Sequence, residues 1–403
     1  MTYEKEKDMT KKEGFKTVET DLEELEEKIH DHRKKIFKRI VITIIAVLAV
    51  FAAAQLWMAL RSYDSYDIKN SVNQGDKSAV QFGTFCGNVI EYSNDGAVYM
   101  YGNGELIWNQ AFEMASPHIE KCETYMAIYD KNGTDLFIMN KEGVVKEIDT
   151  SLPISTVCIA RQGTIAVLLN DGENYYVKLY DTAGKELASG EFYGEKGSIP
   201  VDIALSFDAK KLAVDMMSIN AGKVSTIVSF YNFGSVGQNE IDNNVGTYTY
   251  EDVLVPEIAY VSDKKMIAIG DSEIIIFDGK EKPAEKTKVE LDKEADNVFY
   301  SDDYVGIAYK NNDEKCTSHI IVYDMNGKMV MENDTAINYS KIEMNANNEV
   351  CVTSDYECEI YTVHGVKKFS YTFDTQLYAM LYEDGLNNYI IIHEGTMDEV
   401  RLK

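Results

Sequence analysis

One phrase of this 403-residue chain occurs twice. Val177-Lys178-Leu179-Tyr180-Asp181-Thr182-Ala183-Gly184-Lys185 returns as Ile320-Ile321-Val322-Tyr323-Asp324-Met325-Asn326-Gly327-Lys328. Each copy is an apolar strand, an aromatic-Asp pair and a tight turn closed by glycine. Weaker copies put the turn glycine at Gly104, Gly143, Gly184, Gly234, Gly279, Gly327 and Gly365, at intervals of 38 to 50 residues. Each interval holds about four short runs rich in Val, Ile, Tyr and Phe, parted by turn signals such as Asn94-Asp95-Gly96 and Asn132-Gly133. No interval shows a helical period. Four strands in each of several such units predict an all-β fold, a β-propeller whose blades stack radially and leave only short edges.

Innermost strands are expected to start near Ala79, His118, Thr156, Val201, Pro256, Asp296, Ser340 and Leu377, which makes eight units. Eight four-stranded blades are therefore favoured over seven. The last unit has room for only three strands before Lys403, so its outermost strand must come from the N-terminal side, around Tyr66 to Val72. Closing the ring in this way removes an exposed edge.

At this point the sequence resembles the WD40-like and quinoprotein-like propellers. Tyr180-Asp181, Phe277-Asp278 and Tyr323-Asp324 stand where the Trp-Asp pair of a WD repeat would be, and the Gly-His element of that repeat is absent. In layout the chain resembles uncharacterised single-pass, membrane-anchored propeller proteins of Gram-positive bacteria. The resemblance implies an architecture and an envelope setting, and no reaction.

Ile40 to Leu60 is an uncharged run of 21 residues, long enough at about 1.5 Å per residue to cross a hydrocarbon core. Arg33, Lys34, Lys35, Lys38 and Arg39 crowd its N-terminal flank, so the positive-inside bias places residues 1–39 in the cytoplasm and the rest outside. Residues 61–77 then form a linker with the ring-closing strand, and 78–403 the extracytoplasmic propeller. The competing reading is a cleaved signal peptide ending at Ala52-Ala53-Ala54. Against it stand the long basic-flanked n-region and the continuation of the apolar run to Leu60.

In the tail, Val18, Leu22, Leu25, Ile29 and Ile36 recur at steps of four and three, with His32 filling the gap, and Thr20 with Glu23 makes a capping box. This stripe suits a short coiled coil that pairs two copies, or a solvated helix beside the membrane. The net charge of −27 lies wholly beyond the membrane run, because residues 1–39 hold 11 acids and 11 bases. So anionic a domain repels phosphate backbones, which excludes nucleic acid as a partner.

Enzyme chemistry finds little support. His118, His319, His364 and His393 are scattered, without a His-Glu-x-x-His pattern. Only Arg61, Arg161 and Arg401 are available to bind a substrate carboxylate, and no Gly-x-Ser-x-Gly elbow occurs. Trp108 is the only Trp after the membrane run, whereas resemblance to quinoprotein enzymes would imply recurrent Trp docking motifs. No catalytic residue, metal or cofactor is therefore assigned.

Cys86, Cys122 and Cys158, each 36 residues apart, are placed on inner strands, as a thiol cluster or as small core side chains. Cys351 and Cys358 flank a hairpin at Ser354-Asp355 and face each other in one register, which would allow a disulfide. Asp130 to Asp135 suggests a calcium loop but lacks EF-hand spacing. Long insertions at 193–200, 218–223, 238–256 and 311–317 are assigned to one face of the disc. The longest contains Tyr248, Tyr250, Glu251 and Asp252, aromatics beside acids that suit a cationic peptide or a sugar. The function expected is a non-enzymatic binding, scaffolding or sensing module with a protein partner in the envelope. An envelope enzyme and a carbohydrate-binding propeller are the alternatives.

Overall fold

The computed structural model describes residues 22–403 apart from 76, 78, 194–196, 221, 314, 315 and 386. The chain forms two units that part between Arg61 and Ser62.

The described residues of the first unit form one α-helix, Leu22–Ala59, with no Pro or Gly to interrupt it. Its segment Glu26–Ala53 is long and apolar enough to cross a membrane. The Thr43 hydroxyl donates to the Arg39 carbonyl at 2.9 Å, so even this polar side chain is satisfied within the helix. Further towards the N-terminus, Ile29 and Ile36 are 47 % and 42 % exposed. Val18 and Thr20 lie outside the described residues.

In the second unit, the described residues form eight four-stranded antiparallel sheets. Blades 1 to 7 span residues 81–111, 117–149, 154–193, 198–251, 257–290, 297–335 and 341–372. Blade 8 combines 377–402 with the strand Tyr66–Asn73. Sequence position within a blade follows burial. A second strand such as Ile165–Asn170 is apolar on both faces because a neighbouring blade covers each side. An outermost strand such as Glu186–Tyr193 alternates, with every second side chain in water. The core is accordingly a ring of eight apolar clusters, one between each adjacent pair of blades.

The repeated phrase has a local cause. Asp181 Oδ1 accepts the N–H groups of Ala183 and Lys185, each at 2.9 Å, and Asp324 Oδ1 accepts those of Asn326 and Lys328 at 2.8 and 3.0 Å. These Asp side chains build the turn, and Gly184 and Gly327 supply its left-handed corner at φ 79° and 76°. The preceding Tyr180 and Tyr323 bury their rings between blades.

The strand Tyr66–Asn73 closes the ring by pairing with Thr396–Leu402, Tyr66 opposite Leu402 and Asn73 opposite Thr396. Side chains reinforce this seam. Ser71 donates to the buried Asp398, which also faces His393 Nε2 at 2.9 Å. Tyr63 N–H donates to the Lys368 carbonyl at 2.8 Å, and Lys403 N–H to the Ser65 carbonyl at 2.9 Å. Both ends of the domain are thus tied into its last two blades.

Candidate functional site

Innermost strands line a central channel, whose larger cavity, about 640 Å³, lies against blades 2 to 6. Four acids from four blades line it, Glu120, Asp202, Glu257 and Asp302, together with Lys121 and Lys131. Asp202 sits at a register shift in its strand and accepts two backbone N–H groups, its own neighbour Ile203 and Ile258 of blade 5, both at 2.9 Å. It therefore bridges two blades as well as lining the lumen. Burial pushes its carboxyl up to about 7, against the pull of those two donors. Glu120 is pushed up to about 8 by the surrounding protein and then by Asp202, with Lys121 acting the other way. Its side chain remains open to the lumen, where water screens part of that repulsion. Glu257 is raised by burial and partly relieved by the Tyr300 hydroxyl.

Lys121 borders the larger cavity as well, and its Nζ donates to the Thr84 carbonyl of blade 1 at 2.9 Å. There it borders a smaller cavity, about 250 Å³, with Lys341 and Glu343, which pair at 2.8 Å.

Cys122 and Cys158 also line the larger cavity, but Cys86 lies in a turn with its thiol on the Glu123 carbonyl at 3.3 Å. The three thiols do not gather. Burial, with Asp202 and Glu120 behind it, holds Cys158 far above the usual thiol range, so it offers no thiolate nucleophile. Cys351 and Cys358 are free, buried thiols, and the Cys351 thiol is directed at the Met380 carbonyl at 4.0 Å. The register pairs Cys351 with Ile360 and Thr353 with Cys358, which makes the cysteines diagonal neighbours on one sheet face and not directly opposed. The register in which they would face each other is not formed. Asp130 likewise serves a local role, accepting the Ser116 N–H at 2.7 Å. Among the described residues, no three His, Cys, Asp or Glu converge as metal ligands.

The long insertion requires a correction. Residues 244–251 are not loop but the outermost strand of blade 4, Asn244–Glu251. Its alternation turns Thr247 and Thr249 to water and Tyr248 and Tyr250 inward, against Phe230 and Phe277. Tyr250 is 6 % exposed and donates to Glu285 at 2.9 Å, and Tyr248 donates to the Pro283 carbonyl at 3.1 Å. Both phenols are spent on joining blades 4 and 5. Glu251 and Asp252 are exposed, Asp252 in a left-handed conformation where the strand ends. The insertion itself, residues 233–243, joins third to fourth strand and so belongs to the opposite face from the one assigned.

What distinguishes the other face is a pair of extended hairpins. The second strands of blades 4 and 6, Lys211–Asn220 and Tyr304–Asp313, each run ten residues, against five or six in most other blades. These hairpins flank blade 5. The strand Tyr66–Asn73 begins on the tight-turn face.

Solved structures with this fold include Sqt1 from Chaetomium thermophilum, 11% identical, with a TM-score of 0.51 over 84% of this chain and 100% of that one. The Pan2 WD40 domain of Neurospora crassa is 9% identical, with a TM-score of 0.42 over 84% and 97%. BBS1N, solved in complex with ARL6DN, is 11% identical, with a TM-score of 0.43 over 86% and 97%. At these identities the likeness concerns fold alone. No curated protein matches the chain. Residues 59–402 match the Family of unknown function (DUF5711).

Proposed function

The chain belongs to that family, DUF5711, and from this premise we propose that it is a single-pass membrane protein whose extracytoplasmic propeller binds a protein partner in the cell envelope, without chemistry of its own. The observation that carries this is the helix Leu22–Ala59, apolar and exposed along Glu26–Ala53, joined after a few residues to the strand that closes the propeller. A tether built into the ring suits a module that holds something near the membrane. The basic collar Arg33 to Arg39 supports a cytoplasmic N-terminus. The two hairpins beside blade 5 offer the irregular surface a partner needs. In the tail, Ile29 and Ile36 present an apolar seam for a second copy.

All six cysteines lie in the propeller, and Cys86 is exposed. A membrane-impermeant maleimide applied to intact cells should label Cys86, and Cys86→Ser should remove most of the signal. Labelling that appears only after permeabilisation would place the propeller inside and overturn the extracytoplasmic assignment.

A further inference from the structure

Exposed apolar side chains are not spread evenly over the propeller. Of the twelve large ones among its described residues, six lie on the rim of the tight-turn face, one for each of six blades. Leu106, Val144, Leu187 and Met329 stand first or second in the outermost strands of blades 1, 2, 3 and 6, which begin on that face. Ile68 lies near the start of the closing strand of blade 8, and Ile241, 86 % exposed, in the connection from third to fourth strand of blade 4. Tyr101 and Val145 adjoin two of the six, whereas the opposite face shows only Tyr193, Ile219 and Tyr356. Charge differs between the same two faces. Exposed acids such as Asp95, Asp171, Glu173 and Asp355 occupy turns between second and third strands, and Asp292 and Glu294 the connection from blade 5 to blade 6, all on the opposite face. On the tight-turn rim, exposed Lys141, Lys185 and Lys328 mix with Glu105, Glu142 and Glu240. Further acids of this face, such as Asp302, ring the channel mouth at the centre of the disc.

We propose that the tight-turn rim lies on a phospholipid bilayer, with these apolar side chains entering the head-group layer. Single exposed apolar residues need no explanation in themselves, but their collection on one face does. A protein partner gathers its apolar contacts in one patch. Side chains spaced round a disc, one to a blade, meet the same object only if it is flat and as wide as the disc. A bilayer surface is both. Leu, Ile, Val and Met at the ends of strands gain by leaving water for the interface, and the mixed charges between them suit zwitterionic head groups. Carboxylates are costly to desolvate, and the opposite face keeps most of the exposed ones away from lipid. The chain also enters the propeller on this rim. The Tyr63 N–H donates to the Lys368 carbonyl near the start of the outermost strand of blade 7, and only residues 60–62 separate Tyr63 from the helix Leu22–Ala59. This inference rests on the membrane-tethered reading of the chain and adds to it which face of the disc meets lipid. It holds on either side of the membrane, and it leaves the hairpins beside blade 5 available to a protein partner.

The test is photo-crosslinking of the full chain in phosphatidylcholine vesicles that contain a phosphatidylcholine with a diazirine near the glycerol end of one acyl chain, with adducts mapped by mass spectrometry. Adducts are expected on the N-terminal helix and on peptides that carry Leu106, Leu187 and Ile241, and not on those that carry Asp292 or Asp355. Leu106→Glu, Leu187→Glu and Ile241→Glu together should lower the propeller adducts at least about tenfold and leave the helix adducts unchanged. These three side chains are 58 %, 52 % and 86 % exposed, so the substitutions spare the core, and an unchanged far-ultraviolet spectrum confirms that the variant is folded. Adducts on the helix alone, as when a second copy covers the rim, would overturn the lipid-facing rim and leave the membrane span standing. Equal labelling of both faces, or rim adducts indifferent to the substitutions, would overturn it too. Rim adducts without helix adducts would keep the lipid-facing rim and remove the span, and absence of both would remove both.

Discussion

Replacing Asp215 with Asn should make the propeller more stable, by an amount that depends on pH. Burial, and then the charge of Asp202, push the Asp215 carboxyl up to about 8, and the nearby Met216 N–H offsets this only in part. In the unfolded chain the same carboxyl loses its proton near 3.8. Between those values the folded state holds a proton that the unfolded state has released, so stability falls as pH rises. The favourable contribution is complete below the lower value and gone above the upper one. At about 1.4 kcal/mol per unit, retaining the proton at pH 7 costs about 4 kcal/mol. An amide does not titrate. The advantage of Asp215→Asn over the parent should therefore grow by about 1.4 kcal/mol per pH unit from pH 4 to 7. It starts from a baseline fixed by how well the amide is accommodated. Urea unfolding of parent and variant in detergent at pH 4.5, 5.5, 6.5 and 7.5 gives the difference directly. A difference that stays constant across this range would show that Asp215 is ionised in the fold, and the account of the blade 4 wall would be wrong.

Other expectations concern packing and pairing. A methyl on Gly306 would lie 2.1 Å from the Phe299 ring, so Gly306→Ala should cost about 2 kcal/mol in thermal or urea unfolding. An unchanged midpoint would mean the ring can move aside. Lys368→Met leaves buried Glu349 with Tyr389 and two Asn side chains but no cation. A loss of about 3 kcal/mol is expected, and a loss under 1 kcal/mol would show that the hydrogen bonds alone suffice. If the tail seam pairs two copies, Ile29→Asp with Ile36→Asp should halve the mass of the detergent-solubilised protein, and an unchanged mass removes that pairing.

The architecture was legible because its cause is repeated. An Asp that builds a turn and an aromatic that fills a blade gap recur with the same spacing wherever the geometry recurs, and the expected innermost strands fall within about three residues of the observed ones. The strand Asn244–Glu251 was hidden by the insertion before it and by its own polar residues, although alternation of Tyr248 and Tyr250 with Thr247 and Thr249 was the available signal. The channel acids were not found at all. Glu120, Asp202 and Glu257 are far apart in sequence, and no local motif joins residues that meet only when a ring closes. An acid in the middle of an apolar run, as at Asp202 and Asp215, was the only trace they left. Diagonal placement of Cys351 and Cys358 depended on a register that the hairpin sequence alone did not determine.

The seam between Tyr66–Asn73 and Thr396–Leu402 also sets a schedule for the cell. The closing strand is among the first parts of the domain to be synthesised and its partner is the last. At ordinary translation speeds the two are made roughly 20–60 s apart. During that interval one edge of the nascent disc waits unpaired, exposed to the strand-on-strand association that the finished ring prevents. A domain that lacks residues 396–402 would never complete this step. Closure thus waits for the last strand of the domain, and only a propeller that holds it leaves assembly without an open edge.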